Sequence, residues 1–169
     1  MSNKVPFVDE VEIFNDAFSK PNNYQPTIPK DKKLTNFVVD FIKEETDELA
    51  EAIENRDIVE VLDAICDLLY VAVGNATMVF GLKDKLVDAY AEVQASNMSK
   101  LCHTIEDARE TVKVRSEQQG ACYMQYSQEK KYWTVYRESD DKVMKSVSYF
   151  APNLKQFFTE EELKAIENE

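Results

Sequence analysis

Hydrophobic positions recur at helical spacing through most of this chain and shift to alternation only in its last third. From about Leu34 to Asn55, Val38, Phe41, Ile42, Leu49, Ala52 and Ile53 fall on one side of a helix that advances about 100° per residue. From Asp57 to Leu82, Ile58, Val61, Leu62, Ile65, Leu68, Leu69, Ala72, Val73, Ala76 and Val79 cover most of the circumference, which predicts a helix buried nearly all round. Between the two, Asn55, Arg56 and Asp57 make a tight connection, with Asp57 as cap. The two helices are therefore expected to form an antiparallel hairpin.

Val8 to Phe18 reads as a short amphipathic helix. PNNYQPTIPK reads as a loop, because its prolines lack a donor N–H and push their neighbours toward extended backbone. Gly81 ends the second long helix, and a third is predicted from about Lys83 to Ser99 with an inward stripe of Leu86, Tyr90, Val93 and Asn97. A fourth, polar helix runs from about Thr104 to Gln118. The period then changes: ACYMQYS, KYWTVYRES and KVMKSVSYF are aromatic and β-branched and are separated by turns, which predicts a three-stranded antiparallel meander. TEEELKAIENE, with a Thr cap and acids behind it, predicts a final exposed helix.

Acidic residues interrupt this picture where a core should be apolar. Glu45 falls in the middle of the first apolar stripe, Glu48 and Glu44 lie progressively toward its edge, and Asp47 and Glu54 point away as ordinary solvated acids. In the second pattern the only charged residues are Asp57, Glu60, Asp63 and Asp67, with no Lys or Arg, and Glu60, Asp63 and Asp67 share one narrow stripe. An unpaired buried carboxylate costs several kcal/mol, on the order of one to several hydrogen bonds, so it must be protonated, paired or bound to a cation. Taken singly, acids on helices are usually solvated faces. Two facing rows of them without basic partners favour metal, and an all-oxygen set with no His or Cys suits a hard cation, Mg²⁺ with Mn²⁺ as the alternative.

Charge and cysteine content narrow the function classes. The chain has 169 residues, enough to bury one domain with an appendage, and a formal net charge of −12. That balance argues against an extended nucleic-acid footprint, which needs a basic surface. It leaves a mononucleotide open, since a cation can bridge phosphates to carboxylates. Cys66, Cys102 and Cys122 have no metal-ligand spacing and leave one unpaired in any disulfide scheme, which points to a reducing compartment; Cys66, in the hydrophobic helix, is expected in the core. No apolar run reaches the ~20 residues of a membrane span, so a cytoplasmic chain is expected.

The acidic motif, read as Glu44, Glu45 and Glu48 in EExxE followed by Glu60 and Asp63 in ExxD, resembles the signature of the all-α nucleotide pyrophosphohydrolases, the MazG-like and phosphoribosyl-ATP pyrophosphohydrolase-like group. DLLYVAVGNA is similar to that family's hydrophobic helix, AEVQASNMSKL to a segment ending in SNMSK, and DDKVMKSVSYFAPNL to a C-terminal stretch of phage and bacterial members. The ExxD spacing selects Asp63 as the metal-binding Asp, whereas the Leu-Leu-Tyr that often follows that residue stands after Asp67, so both are candidates. The chain departs from the family's pattern at Asn36 and Phe37, where a basic residue is common, and at 146–148, where glycine is common.

The resemblance implies a mainly α protein, an all-α NTP pyrophosphatase bundle of four to five helices with a small C-terminal antiparallel β-meander. Residues 1–103 would form the core, and 104–169 would supply a helix, the meander and a C-terminal helix packed on it. It implies a Mg²⁺-dependent hydrolase that cleaves an NTP or dNTP to the monophosphate and pyrophosphate, with hydrolysis of phosphoribosyl-ATP as the alternative substrate. Glu44, Glu45, Glu48, Glu60, Asp63 and Asp67 would hold metal, and Glu45 and Glu48 would take the catalytic part. Asn97, which periodicity leaves as either a satisfied amide or a ligand contact, would meet substrate, and Lys100 would meet phosphate. The nearly all-apolar second helix, together with the resemblance, implies a homodimer or higher homo-oligomer. A di-iron bundle is excluded, because that design needs Glu-x-x-His pairs and the chain has one histidine, His103. A non-catalytic acidic interaction protein would also explain −12, but it predicts acids on exposed faces only.

Overall fold

A computed structural model describes residues 6–168. It divides into two compact units, one through Asp88 and again from Phe157, the other Ala89–Gln156.

The first unit is helical. Helix α1 spans Pro6–Ala17, and α2 spans Lys32–Asn55 with Asp31 as its cap, the Asp31 carboxylate accepting from the Lys33 N–H. Arg56 takes the left-handed conformation (φ 56°) and the Asp57 N–H returns to the Ala52 carbonyl, so α2 stops in two residues. The Asp57 carboxylate accepts from the N–H groups of Val59 and Glu60 and opens α3, Ile58–Leu68. Helices α2 and α3 pack on each other, which gives the expected hairpin. The 100° projection fails after Leu68. Leu69–Asn75 is a π-helical segment, in which the Ala76 N–H donates to Val71, five residues back, before α4, Ala76–Val79, resumes α geometry.

The π segment packs on α1. Gly74 lies so close that a methyl there would meet the Val11 side chain, and Phe14 sets its ring edge-on to Tyr70 at 5.7 Å. Val8, Val11 and Met78 form the buried cluster, flanked by Val73 and Leu86. Gly81 (φ 65°) closes α4, pressed against the Gln25 backbone. The proline loop is stitched along this end by Asn23 N–H to Met78 and Thr27 N–H to Phe80. Helix α5 covers Lys83–Met98. Further along the chain, α7, Glu160–Asn168, opens with a reciprocal box in which Thr159 Oγ accepts from the Glu162 N–H and the Glu162 carboxylate accepts from the Thr159 N–H.

The second unit holds α6, Ile105–Gln119, capped by Thr104, and an antiparallel pair β1, Cys122–Ser127, and β2, Tyr132–Arg137. Cys102, Ala108, Cys122, Val135 and Met144 make its core. The expected third strand is reduced to a bridge between Tyr136 and Val143. The free edge of β2 is otherwise filled by Cys102 bonding reciprocally with Trp133, and by the Met144 N–H donating to Val135. From Val147 onward the chain leaves the sheet because its backbone is taken by the Thr111 hydroxyl of α6 and by the Ser99 and Ser96 hydroxyls.

Three further expectations are corrected. Helix α3 is not buried all round: Ile58 is 76% exposed and Leu62 62%, and only Ala64 of α3 is buried, because α2 covers one side of it. Cys66 is exposed for the same reason, whereas Cys102 and Cys122 are buried. On α5, Tyr90 is 70% exposed and Asn97 is exposed, while Ser96 is buried against residues 149–150. No helix among the described residues is long and apolar enough to cross a membrane.

Candidate active site

Charge from both α2 and α3 acts on Glu45. Its side chain is 9% exposed although its neighbours Glu44 and Glu48 are exposed, as their places on the apolar stripe foretold. Burial holds the Glu45 carboxyl above the usual carboxylate range. The negative charges of Asp67, Glu48, Glu44 and Asp63 push it in the same direction. Four of the other five sequence-named acids thus act on Glu45. Asp67, half-buried two residues before the π segment, acts on Glu45 more strongly than the exposed Asp63 does. Glu60, in the first turn of α3, is exposed and is not among the charges that act on Glu45.

Glu45 Oε2 is buried and makes no hydrogen bond. Buried polar atoms almost always find a partner, because the interior returns none of the solvation they lose. Here none of the four neighbours can donate to it when ionised, and no ion pair from α2 or α3 reaches it: the Lys43 ammonium turns to Asp40 at 3.4 Å on the solvent side. Among the described residues no three such side chains stand close enough together to hold a metal ion. The donor set nonetheless fits one: the ligand atoms are all carboxylate oxygen, suited to a hard divalent ion, and Glu45 Oε2 is an acceptor left unused.

The same helices carry a feature that periodicity missed. A cavity of about 590 Å³ is walled by Phe14 of α1, Phe37 and Phe41 of α2, and Tyr70 and Asn75 of the π segment, with Lys33 among its polar lining. Phe37 and Phe41 stack at 4.9 Å, and Phe41 lies one turn before Glu44 and Glu45, as Tyr70 lies one turn after Asp67. Only the spacing of Phe37 and Phe41, four apart on one helix, marks it in the sequence, and Phe37 is half-exposed. Asn97 and Lys100 lie in the second unit, where the Lys100 ammonium donates to Asn97 Oδ1 at 2.9 Å.

A model of the phosphoribosyl-ATP pyrophosphohydrolase family matches residues 11–97, more than half of the chain, a span that contains α2, α3 and every one of the acids above. Among curated proteins none matches the chain. Hydrolases of this family generally use divalent metal ions. The ordered acidic helices and this match agree: the chain belongs to the phosphoribosyl-ATP pyrophosphohydrolase family, in the MazG-like all-α superfamily, and is a nucleotide pyrophosphohydrolase, a hydrolase of phosphorus-containing anhydrides.

Proposed function

We propose that this chain hydrolyses a nucleoside or deoxynucleoside triphosphate to the monophosphate and pyrophosphate, with Mg²⁺ as its cation. The observation that carries the reading is the unbonded, buried Glu45 oxygen, set among four other carboxylates with no cationic side chain among the described residues to answer it. Glu44, Glu45, Glu48, Asp63 and Asp67 would hold the ion, with Glu60 in reserve at the start of α3. When bound, a divalent ion neutralises charge on phosphoryl oxygens and eases deprotonation of water.

The chain's own residues do the rest. Glu45 or Glu48 takes the proton from the attacking water as its oxygen bonds to phosphorus, the anhydride P–O bond breaks, and pyrophosphate leaves. Phe37, Phe41 and Tyr70 offer flat apolar faces for a nucleobase, and Asn75 supplies an amide at the cavity wall. Asn97 and Lys100 offer an amide and an ammonium to the substrate's polar parts. A second copy of the chain would cover Ile58, Leu62, Ile65 and Leu69, an exposed apolar stripe. A Leu62→Glu chain that sediments as a monomer beside a dimeric parent supports that assembly, and a monomeric parent contradicts it.

The test is pyrophosphate release from the common NTPs and dNTPs, dUTP and phosphoribosyl-ATP, with Mg²⁺ and with EDTA, alongside Glu48→Ala. EDTA-sensitive release from a triphosphate, lost in Glu48→Ala with helicity intact, supports the reading. Release from phosphoribosyl-ATP alone moves the substrate to that nucleotide. Release that survives in Glu48→Ala removes the metal assignment.

A further inference from the structure

The two edges of the β1–β2 sheet are treated differently. Backbone groups along a strand point alternately to its two sides, and the bonds around the hairpin fix which residues point where. The Glu138 N–H donates to the Ala121 carbonyl across the hairpin, whereas the Cys122 N–H turns away from β2 and donates to Ser116 Oγ at 3.1 Å. By that alternation Tyr123, Gln125 and Ser127 bond toward β2, and Met124 and Tyr126 turn their N–H and C=O groups outward, as Cys122 does. On β2 the residues opposite them, Trp133, Val135 and Arg137, spend outward groups on Cys102, Met144 and Lys142. That edge is occupied. Among the described residues, nothing bonds the outward groups of Met124 and Tyr126.

Natural edge strands discourage pairing with another chain by charge, proline or a bulge. From Ala121 to Gln128 there is neither charge nor proline, in a chain that is 31% charged, and the register with β2 runs without a bulge. The aromatic side chains leave the edge clear. Tyr123 stacks on Tyr136 at 5.4 Å and donates to Asp141, and Tyr126 packs on Trp133 at 4.8 Å, so both rings lean back over β2.

A second copy of β1, run antiparallel, presents the same outward groups in reverse order. A two-fold axis through Met124 would call on the Cys122 N–H, which Ser116 already holds, and one through Tyr126 would call on Gln128, outside the strand. An axis through Gln125 sets Met124 opposite Tyr126 of the second copy, so that every free N–H and C=O of the two residues is bonded. It also lays the two neutral Gln125 amides side by side on the exposed face.

We propose that β1 is a self-association edge, at which two copies of this chain pair antiparallel about a two-fold axis through Gln125 and join their hairpins into one sheet. The pairing needs neither the pyrophosphohydrolase activity nor the α3 stripe. Because the seam is short, copies join through it at concentrations on the order of 100 μM and part in dilute solution.

The test is sedimentation of the Leu62→Glu chain, whose α3 stripe is broken, from about 5 μM to about 500 μM. It should pass from monomer to dimer across that range. Adding Gln125→Lys, which sets like charges against each other on the axis, should raise the dissociation constant at least about tenfold with circular dichroism unchanged. Adding Thr134→Lys, the same charge change on the same face of β2, should leave it unchanged. Disulfide trapping reads the register. With the exposed native thiol removed by Cys66→Ser, Gln125→Cys should cross-link to itself, and Tyr123→Cys should cross-link to Ser127→Cys but not to itself. A chain that stays monomeric throughout, that pairs as well with Gln125→Lys as without it, or that cross-links equally from every position overturns the proposal. A parent that is monomeric in dilute solution counts against the α3 assembly alone.

Discussion

The two units bury polar groups for opposite ends. In the second, Ser96, Thr111 and Ser146 vanish from solvent and each hydroxyl finds a backbone partner, so their burial organises the chain and leaves nothing over. In the first, Glu45 is buried beside four more carboxylates with one oxygen unbonded. A satisfied buried hydroxyl adds to stability, whereas an unsatisfied buried carboxylate subtracts from it and persists where something outside the chain completes it. The unsatisfied carboxylate is therefore the mark of the site we propose, and the satisfied hydroxyls are not.

Substitutions can break that contrast. The largest expected effect is on turnover: Glu48→Ala should lower pyrophosphate release by at least about 100-fold, while circular dichroism stays that of the parent. Gly81→Ala should destabilise the first unit by roughly 3 kcal/mol or more, read as a fall in the denaturant midpoint, because Gly81 sits at φ 65° and a methyl there meets the Gln25 carbonyl rather than a side chain that could move. Thr111→Val should cost about 1–3 kcal/mol by the same measurement, leaving the Val147 N–H and the Cys102 thiol without their buried partner.

The smallest effect has the opposite sign. Because the folded protein holds the Glu45 carboxyl above its ordinary range, it binds that proton more tightly than the unfolded chain does. Stability is therefore highest below the unfolded pKa of about 4.5 and declines as pH rises through the raised folded value. In EDTA, Glu45→Gln should remove this decline and melt higher than the parent at pH 8. A parent that melts higher there would show that Glu45 is satisfied after all.

How much of this was legible follows from what local chemistry dictates. The caps Asp57 and Thr104, the Thr159 box and the Gly81 stop were legible, because each depends on residues within one turn. The gradation from buried Glu45 to exposed Glu44 and Glu48 was legible too, since one helix fixes their relative phase. The π segment was not, because its longer turn resets that phase without any change in composition. The third strand looked right by alternation, but the edge of β2 was taken partly by Cys102. Serine and threonine hydroxyls, which no periodicity marks, drew the later residues away. Tyr90 was placed inward, and Ile58 and Leu62 were placed in a core, by period alone. Their exposure depends on what a neighbouring element covers, and that is set by tertiary structure. The aromatic cavity was hidden in the same way, since Phe14, Phe37, Phe41 and Tyr70 converge from three elements.

The central claim is that the Glu45 cluster holds a divalent cation, and the electron paramagnetic resonance of Mn²⁺ reads this directly, since free aquo-manganese gives a signal that binding broadens away. Titration of the whole chain should show Mn²⁺ bound and displaced by Mg²⁺, with binding weakened at least about tenfold in Glu45→Gln and unchanged in Glu54→Gln, whose exposed acid points away from the cluster. Equal Mn²⁺ binding by the parent and Glu45→Gln, or none by either, would contradict the account.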